Sequence, residues 1–296
     1  IEKGRGYLYA NSDATVLSFV GELNTTQVSR TLSAQADALT GFNLLGNPFA
    51  HDIYKGVAFA KGGELRTGYY TLDNHGAWQA STDNDTIKSG AGFLVQTDVN
   101  ATEINIDKVN AAPQILAEAM LAVAVVNDRY EDVAYVTFNE GLGLEKIGHM
   151  NENIPMVYVP SNFNSFAIAT VEEDVTEIPV NFEAMTMGEY TIGVKAENCE
   201  YKVMTLVDNL TGVETNLLKD SYTFMATTTD DPDRFLIKLS KDNEEVADSF
   251  IYINNGELIF DNLSNDAIIN VFDVLGRNVA TFNNCGDTTY RVSTDL

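Results

Sequence analysis

The sequence predicts an all-β protein made of tandem antiparallel β-sandwich domains of the jelly-roll or immunoglobulin-like type. Three observations predict this fold class: apolar and polar residues alternate in many short segments, turn residues separate those segments, and helical periodicity is almost absent. A sheet with one face in a core and the other in water produces this alternation. Many short strands with few helices are typical of stacked sandwiches.

Period-two patterns locate the individual strands. In residues 189–195 (EYTIGVK), Tyr190, Ile192 and Val194 fall on one face of an extended chain, as in a half-buried strand. The same alternation predicts strands at residues 135–138, 235–239, 251–253 and 269–272.

Two glycines predict tight hairpins. Asn255-Gly256 separates two apolar segments, and a two-residue type I′ turn requires positive φ at both positions. In VFDVLGRNV, Gly276 provides the positive φ of a second hairpin, with Val271 and Val279 expected as its cross-strand pair.

The segment 113–126 (PQILAEAMLAVAVV) is the one stretch with helical composition. Its apolar residues do not follow a 3.6-residue spacing, and valine dominates its second half. We therefore predict a strand there.

An internal similarity suggests where the first domain ends. Residues 4–8 and 15–19 are echoed by residues 90–94 and 102–106, which predicts two copies of one strand-turn-strand unit. Two copies are too few for a solenoid, so a single pseudo-symmetric domain is expected.

The sequence predicts three domains. The first, 1–111, is a sandwich with a GNPF motif and an incomplete N-terminal side. The second, 112–240, is another sandwich, and the third, 241–296, is a smaller domain that is incomplete at its C-terminal side.

The charge balance excludes some classes of partner. The chain has 18 Lys and Arg against 43 Asp and Glu, a net charge of −25. Such a chain repels a phosphate backbone or an anionic lipid surface, so neither nucleic acid nor membrane insertion is predicted. No apolar run reaches the roughly 18 residues of a membrane span either. The net charge is −4 over residues 1–112, −13 over 113–241 and −8 over 242–296, so the acidic excess belongs to solvated sheet faces.

The sequence lacks the common motifs for catalysis, cofactors and metals. It contains no H-E-x-x-H, G-x-S-x-G, P-loop, C-x-x-C or dinucleotide-type glycine pattern. The three histidines, His51, His75 and His149, are scattered, which is typical of surface or packed side chains. Cys199 and Cys285 lie in different predicted domains, and two buried thiols are expected instead of a disulfide. No catalytic, cofactor-binding or metal-binding residue is therefore predicted, and the chain is not expected to be an enzyme.

The sequence also supports two weaker interpretations, a calcium site and a sugar-binding surface. The acidic turns at residues 83–85 and 230–233 offer oxygens to Ca²⁺, although Asp, Asn and Pro also build turns for backbone reasons. Tyr69, Tyr70 and Trp78 offer a sugar-stacking platform if they are exposed, although one of the two tyrosines is expected to point into a core.

Three groups of motifs carry a family resemblance. Residues 39–49 (LTGFNLLGNPF), followed by Trp78 and residues 87–93 (IKSGAGF), resemble β-rich modules of large secreted Bacteroidetes proteins. Residues 208–212 (DNLTG), followed by Arg234-Phe235, resemble the segment that commonly comes next in these proteins. Residues 269–279 (INVFDVLGRNV) resemble the core of the C-terminal sorting domain that the type IX secretion system recognises.

The resemblance implies an exported, non-enzymatic, adhesin-like or structural array of β-sandwiches, located outside the cell or on the outer-membrane surface. Its implied partners are the type IX secretion machinery and a host protein or glycan. The alternative is an accessory C-terminal region of a secreted protease or glycoside hydrolase whose catalytic module lies upstream. The family's sorting domain normally continues beyond the final STDL, so the last domain is expected to be truncated and not competent for secretion as it stands.

Overall fold

The structure is a computed structural model in which the chain forms two compact units. It describes residues 1–11, 13, 16, 18, 20–35, 39–59, 64–108, 118–138, 141–242, 250–254, 257–261, 268–272, 276–283 and 289–293. The first unit is Ile1–Lys241 and the second is Asp242–Leu296. No helix among the described residues has the length and apolar character needed to cross a membrane.

The described residues of both units are organised almost entirely as strands. In the first unit these are β1 (Val28–Leu32), β2 (Phe42–Gly46), β3 (Ile53–Tyr54), β4 (Tyr69–Leu72), β5 (Trp78–Ser81), β6 (Thr86–Ile87), β7 (Gly92–Gln96), β8 (Thr102–Ile106), β9 (Met120–Val126), β10 (Glu131–Thr137), β11 (Leu144–Glu145), β12 (Met156–Ser161), β13 (Asn164–Thr170), β14 (Glu177–Glu183), β15 (Gly188–Glu197), β16 (Val203–Asp208), β17 (Glu214–Asn216), β18 (Tyr222–Ala226) and β19 (Phe235–Ser240), with the four-residue helix α1 (Lys55–Ala58) after β3. In the second unit they are β20 (Phe250–Asn254), β21 (Glu257–Asp261), β22 (Ile268–Phe272), β23 (Asn278–Asn283) and β24 (Thr289–Ser293). The predicted all-β class is confirmed.

A four-stranded antiparallel sheet in the first unit is covered on both faces. Its strand order is β2-β7-β4-β5. Tyr69 and Phe93 on one face join a core with residues of β1, β8, β3 and β6. Tyr70 and Leu94 on the other face join a second core that also contains Ile168 of β13. Successive strand residues point to opposite faces, so both tyrosines are buried although they are neighbours in sequence.

A larger sheet of the first unit encloses the third core. Its order is β17-β16-β19-β14-β12-β13-β10-β9-β15-β18, with β11 paired to β13. Its core includes Phe182, Phe224 and Phe235, whose rings meet edge-to-face, with 4.9 Å between the centroids of Phe224 and Phe235. β10 and β13 run parallel, which departs from the predicted antiparallel pairing.

The second unit contains two small antiparallel sheets among its described residues. One has the order β20-β21-β24 and the other consists of β22 and β23. Asn254 pairs with Glu257, which confirms antiparallel pairing across the predicted Asn255-Gly256 hairpin. Residues 255 and 256 lie outside the described residues, so the type I′ turn stays a prediction.

Most strand predictions are confirmed. β15, β19, β20 and β22 cover four of the five segments predicted from period-two alternation, and β10 covers the fifth except for Phe138. β9 occupies the second half of the ambiguous segment, with alternate residues buried between β10 and β15. Residues 113–117 of that segment lie outside the described residues.

The predicted cross-strand pair of Val271 and Val279 is wrong. Gly276 has the expected positive φ of +78°. However, Val271 pairs with Ala280 and Phe272 pairs with Asn278, so one extra residue lies on β23 at this point. A β-bulge of this kind shifts the register, and Val279 has no partner directly opposite.

The predicted repeat is also wrong in its first copy. Residues 90–94 and 102–106 contribute to β7 and β8, but residues 4–8 form one isolated bridge, between Arg5 and Leu45. The backbone N–H of Gly6 donates to Leu44 O at 3.1 Å, and that of Gly46 donates to Gly4 O at 3.1 Å. Residues 4–8 therefore lie along the outer edge of β2, and the strand predicted at residues 15–19 stays a prediction. Residues 15, 17 and 19 lie outside the described residues.

One of the two predicted domain boundaries lies next to the boundary between the two units. The units divide after Lys241, next to the predicted division between 240 and 241. The predicted division between 111 and 112 falls in residues 109–117, outside the described residues. Residues from both sides of that segment nevertheless share the core of Tyr70 and Ile168.

Candidate functional site

The possible sugar-stacking platform is not formed. Tyr69, Tyr70 and Trp78 are all buried, and the Tyr70 hydroxyl donates to Glu145 O at 2.8 Å. Only one tyrosine was expected in a core. The second is buried because the sheet carrying β4 is packed on both faces, which alternation within a single strand does not reveal.

The acidic turns use their carboxylates for internal hydrogen bonds. Asp83 Oδ1 accepts from Lys55 Nζ at 2.6 Å and from the Gly68 N–H at 2.7 Å. Asp85 Oδ2 accepts from the Thr82 N–H, and Asp230 binds Thr227 in the same way. Within the described residues no group of three or more His, Cys, Asp or Glu side chains is placed to hold a metal ion. These bonds favour the backbone interpretation of the turns over calcium binding.

The histidines and the cysteines occupy different environments. His75 is exposed, and the His51 ring stacks on Phe49 with 5.2 Å between the centroids. Cys199 is a free thiol, as predicted. It is half-buried, whereas a fully buried thiol was predicted. Burial raises the pKa of this thiol, which keeps it protonated and weakly nucleophilic at neutral pH. Cys285 lies outside the described residues.

His149 belongs to a buried cluster of three ionisable side chains, which we call the Asp132 cluster: Asp132, Lys146 and His149. Their side chains are 3%, 1% and 2% exposed, respectively. Lys146 Nζ lies 2.5 Å from Asp132 Oδ2, and His149 Nε2 lies 3.3 Å from Asp132 Oδ1.

Several elements hold the Asp132 cluster in place. Asp132 lies on β10, and its Oδ2 also accepts from the Val157 N–H of β12 at 2.7 Å. Lys146 follows β11 directly. The Trp78 N–H at the start of β5 donates to His149 Nδ1 at 3.0 Å. Because Nδ1 accepts this bond, the neutral His149 ring carries its proton on Nε2, which points towards Asp132.

Two opposing effects set the ionisation of Asp132. Burial acts to raise its pKa, because the charged form loses hydration. The charge of Lys146 and the neighbouring His149 outweigh burial, so the pKa of Asp132 lies below its ordinary value. The resting state is therefore a desolvated ammonium–carboxylate pair. His149 Nε2 has no aligned hydrogen bond, although it is buried and aimed at the second carboxylate oxygen.

Sequence reasoning missed the Asp132 cluster because no motif joins its members. One signal was available: in EDVAYVT, Asp132 has the same parity as Ala134 and Val136, which form the buried face of β10. A carboxylate on the apolar face of a strand needs a buried partner. The identity of that partner depends on β11 and β5, whose positions are not visible in the local sequence.

A second buried ion pair uses the residues of the DNLTG and Arg234-Phe235 motifs. Arg234 Nε and Nη2 donate to Asp208 Oδ1 and Oδ2 at 3.0 and 2.8 Å. The guanidinium lies over the rings of Phe224 and Phe235. Burial acts to raise the pKa of Asp208, but the donors Arg234 and Tyr222 lower it to about 2. These motif residues support the fold.

Asn47 of the GNPF motif has a comparable role. It is buried, its amide group donates to the carbonyl oxygens of His51, Ile87 and Lys88, and its Oδ1 accepts from the Phe49 N–H. This asparagine therefore caps the turn after β2.

The surface carries one strained, exposed aromatic residue. Asn162 and Phe163 form the two-residue turn between β12 and β13, with φ of +47° and +70°. The Phe163 side chain is fully exposed. A bulky residue in the left-handed region is uncommon, and the exposed ring adds the cost of hydrating an apolar surface.

A groove of about 520 Å³ lies next to this turn. Its lining includes Leu142, Pro160, Asn162, Pro179 and Arg66. The charge of Arg66 is already compensated, because Nη2 lies 2.8 Å from Asp98 and 3.0 Å from Glu145. Apart from Arg66 and Glu177, the groove is lined by uncharged residues.

Comparison with protein-family models, with curated proteins and with solved structures finds no match.

Proposed function

We propose that this chain is a non-enzymatic, adhesin-like β-sandwich region of a protein exported by the type IX secretion system to the cell exterior or the outer-membrane surface. In this role it presents a binding surface to a host protein or glycan. The surface is centred on Phe163 and the adjacent groove.

The conformation of Phe163 is the observation that carries this proposal. Its exposed ring and left-handed backbone are both unfavourable in the free protein. Strained backbone conformations of this kind cluster at functional sites, ligand-binding sites among them. Exposed aromatic rings are also the side chains that most often dominate binding energy at interfaces.

The scaffold role of the motif residues gives further support. Asn47, Asp208 and Arg234 carry much of the resemblance to secreted modules, and each binds other parts of its own fold. Because these residues stabilise the fold, their motifs are expected in every module of this type, whatever reaction the whole protein catalyses.

Binding is tested with the labelled chain on a printed glycan array and on immobilised fibronectin. Phe163→Asn is the informative variant, because Asn tolerates the left-handed region and removes only the ring. We expect the wild-type chain to bind at least one probe and the variant to lose at least ten-fold in affinity. Met187→Ser is the matched control, since Met187 is an exposed apolar residue in the turn at the opposite end of this sheet. Equal binding by wild type and F163N would contradict the proposed surface.

Export is tested separately with the protein encoded by the complete gene, in a bacterium that has a type IX system. Deleting all residues from Asp242 onward removes the unit that carries the sorting-domain resemblance. We expect the deleted protein to accumulate in the periplasm, while F163N is exported normally. Export of the deleted protein would contradict the proposed address.

The rival function is an accessory region of a secreted protease or glycoside hydrolase. It shares the same address, so motif resemblance does not separate the two functions. The coding sequence upstream of Ile1 separates them. A catalytic module there favours the accessory role, and adhesin or leucine-rich repeats favour the adhesin-like role.

A further inference from the structure

We propose that Lys146 and Asp132 join in an intramolecular amide bond between Lys146 Nζ and Asp132 Cγ, formed by the folded chain itself. This covalent link is independent of partner binding and of the export route. It would tie the start of β10 to the segment after β11.

The first argument is proximity in a dry environment. Lys146 Nζ lies 2.5 Å from Asp132 Oδ2, and both side chains are almost fully buried. Leu144 and Ile147, which flank Lys146 closely in sequence, are also buried. Holding a nucleophile and an acyl carbon together removes the entropic barrier of a bimolecular reaction, and exclusion of water disfavours the reverse hydrolysis.

The second argument is a proton transfer that keeps the net charge unchanged. In water an ammonium and a carboxylate do not react, because the amine lone pair is protonated and the acyl carbon is a poor electrophile. In a desolvated pair, moving one proton from Nζ to Oδ2 produces a neutral amine and a neutral acid. The ion pair stays the resting state, because the attraction of Lys146 and His149 outweighs burial at Asp132, and the neutral pair is the minor form that reacts.

The third argument is the position of His149. Its Nε2–H is buried, has no aligned partner, and lies 3.3 Å from Asp132 Oδ1. When the amine attacks Cγ, negative charge develops on Oδ1, and Nε2–H is placed to donate to it. A donor that aligns with the oxyanion more than with the ground state stabilises the transition state selectively. The Trp78 N–H on Nδ1 keeps the ring in the required tautomer.

The reaction balances without any further reagent. The Nζ lone pair forms the new C–N bond to Cγ, and the electrons of the C=O π bond move to Oδ1. The first transferred proton is already on Oδ2, and a second proton from Nζ joins it there. The Cγ–Oδ2 bond then breaks, water leaves, and the oxyanion collapses to the amide carbonyl, with one hydrogen retained on the amide nitrogen. The ammonium and the carboxylate thus become one amide and one water.

The decisive experiment is intact-mass spectrometry of the full, denatured wild-type chain. We expect the mass to be one water, about 18 Da, below the mass of the sequence. Trypsin should fail to cleave after Lys146 in the denatured chain, because the lysine side chain is acylated. The full sequence mass together with cleavage after Lys146 would overturn the proposal.

Two controls test whether the loss of one water belongs to Lys146. Lys195 and Glu197 also have an N–O distance of 2.5 Å, but both are exposed. Trypsin should therefore cleave after Lys195 in the same sample. Lys146→Arg keeps a positive charge, but its guanidinium remains protonated and unreactive, so this variant should have its full sequence mass. A water loss that persists in K146R would place the modification elsewhere and overturn the assignment.

The role of His149 has its own test. His149→Phe keeps a buried ring but removes the donor to Oδ1. In freshly purified H149F we expect a fraction of unlinked chain that decreases over time, whereas wild type is fully linked. A folded H149F chain that links as completely as wild type at the first time point would overturn the role given to His149.

Discussion

Arg234 illustrates how a single side chain stabilises the first unit. Its guanidinium bonds both oxygens of Asp208, donates to Met225 O at 3.0 Å, and lies over two phenylalanine rings. It therefore connects β16, β18 and β19. Removing one member of a buried pair leaves the other charge desolvated and unpaired.

We accordingly expect Arg234→Met to lower the free energy of unfolding by about 3–5 kcal/mol. Urea unfolding followed by circular dichroism measures this loss. Lys238→Met is the matched control, because the Lys238–Glu214 pair is exposed and its removal should change stability by about 0.5 kcal/mol or less. Comparable losses for both variants would show that the buried pair has no special role.

Asp208 also predicts a dependence on pH. Its pKa in the folded state is about 2, below the ordinary 3.8. A depressed carboxyl pKa stabilises the fold fully above the unfolded value, and this contribution is lost as pH falls through the folded value. The melting temperature should therefore fall between about pH 4 and pH 2, and Asp208→Asn should show a smaller fall over that interval. A variant with the same acid profile as wild type would contradict this assignment.

At the scale of the element, period-two burial explains why the strand predictions succeed. β15 buries Tyr190 and Ile192 and exposes Glu189. The pattern is local, so it can be read without knowing the neighbouring strands. Register is not local: the bulge between β22 and β23 changes which residues face each other without changing the apolar pattern.

The two faces of β15 should respond differently to truncation. Ile192→Ala leaves a cavity in the core and should cost about 2–5 kcal/mol of unfolding free energy. Glu189→Ala on the exposed face should change it by about 0.5 kcal/mol or less. Chemical denaturation of both variants gives the comparison, and similar losses would mean that β15 is not placed with this face inward.

At the scale of the whole molecule, the net charge of −25 dominates the electrostatics. Like charges spread over a folded surface repel, and unfolding separates them. Dissolved salt screens this repulsion: the Debye length falls from about 30 Å at 0.01 M to about 8 Å at 0.15 M.

We therefore expect the melting temperature at pH 7 to rise when the salt concentration increases over this range. Differential scanning calorimetry measures the change. Potassium chloride and sodium chloride should act alike, because the effect is screening and not binding of a specific cation. A melting temperature that falls with salt would indicate that exposed ion pairs contribute more to stability than self-repulsion reduces it.

Much of the architecture could be predicted from the sequence, and part of the candidate site could not. Strand positions in β15 and β19 follow from alternation, whereas that of β9 follows from its valine content and from the absence of a 3.6-residue spacing. The turn after β2 follows from the Asn47-Pro48 dipeptide. The burial of Tyr70 could not be predicted, because it depends on a second sheet packing against the outer face of β4. Phe163 could not be recognised as strained either, since its φ depends on the hairpin register of β12 and β13.

The sequence by itself determined the all-β class, the location of most strands and the acidic character of the surface, because each of these depends on composition or on neighbours along the chain. Only the tertiary structure decided that Asp132, Lys146 and His149 meet in a dry interior. Asp132 lies on β10, whereas Lys146 and His149 follow β11. Trp78, which orients the histidine, lies more than fifty residues upstream of Asp132. Contacts between distant segments depend on how sheets pair and pack, and local periodicity does not contain that information.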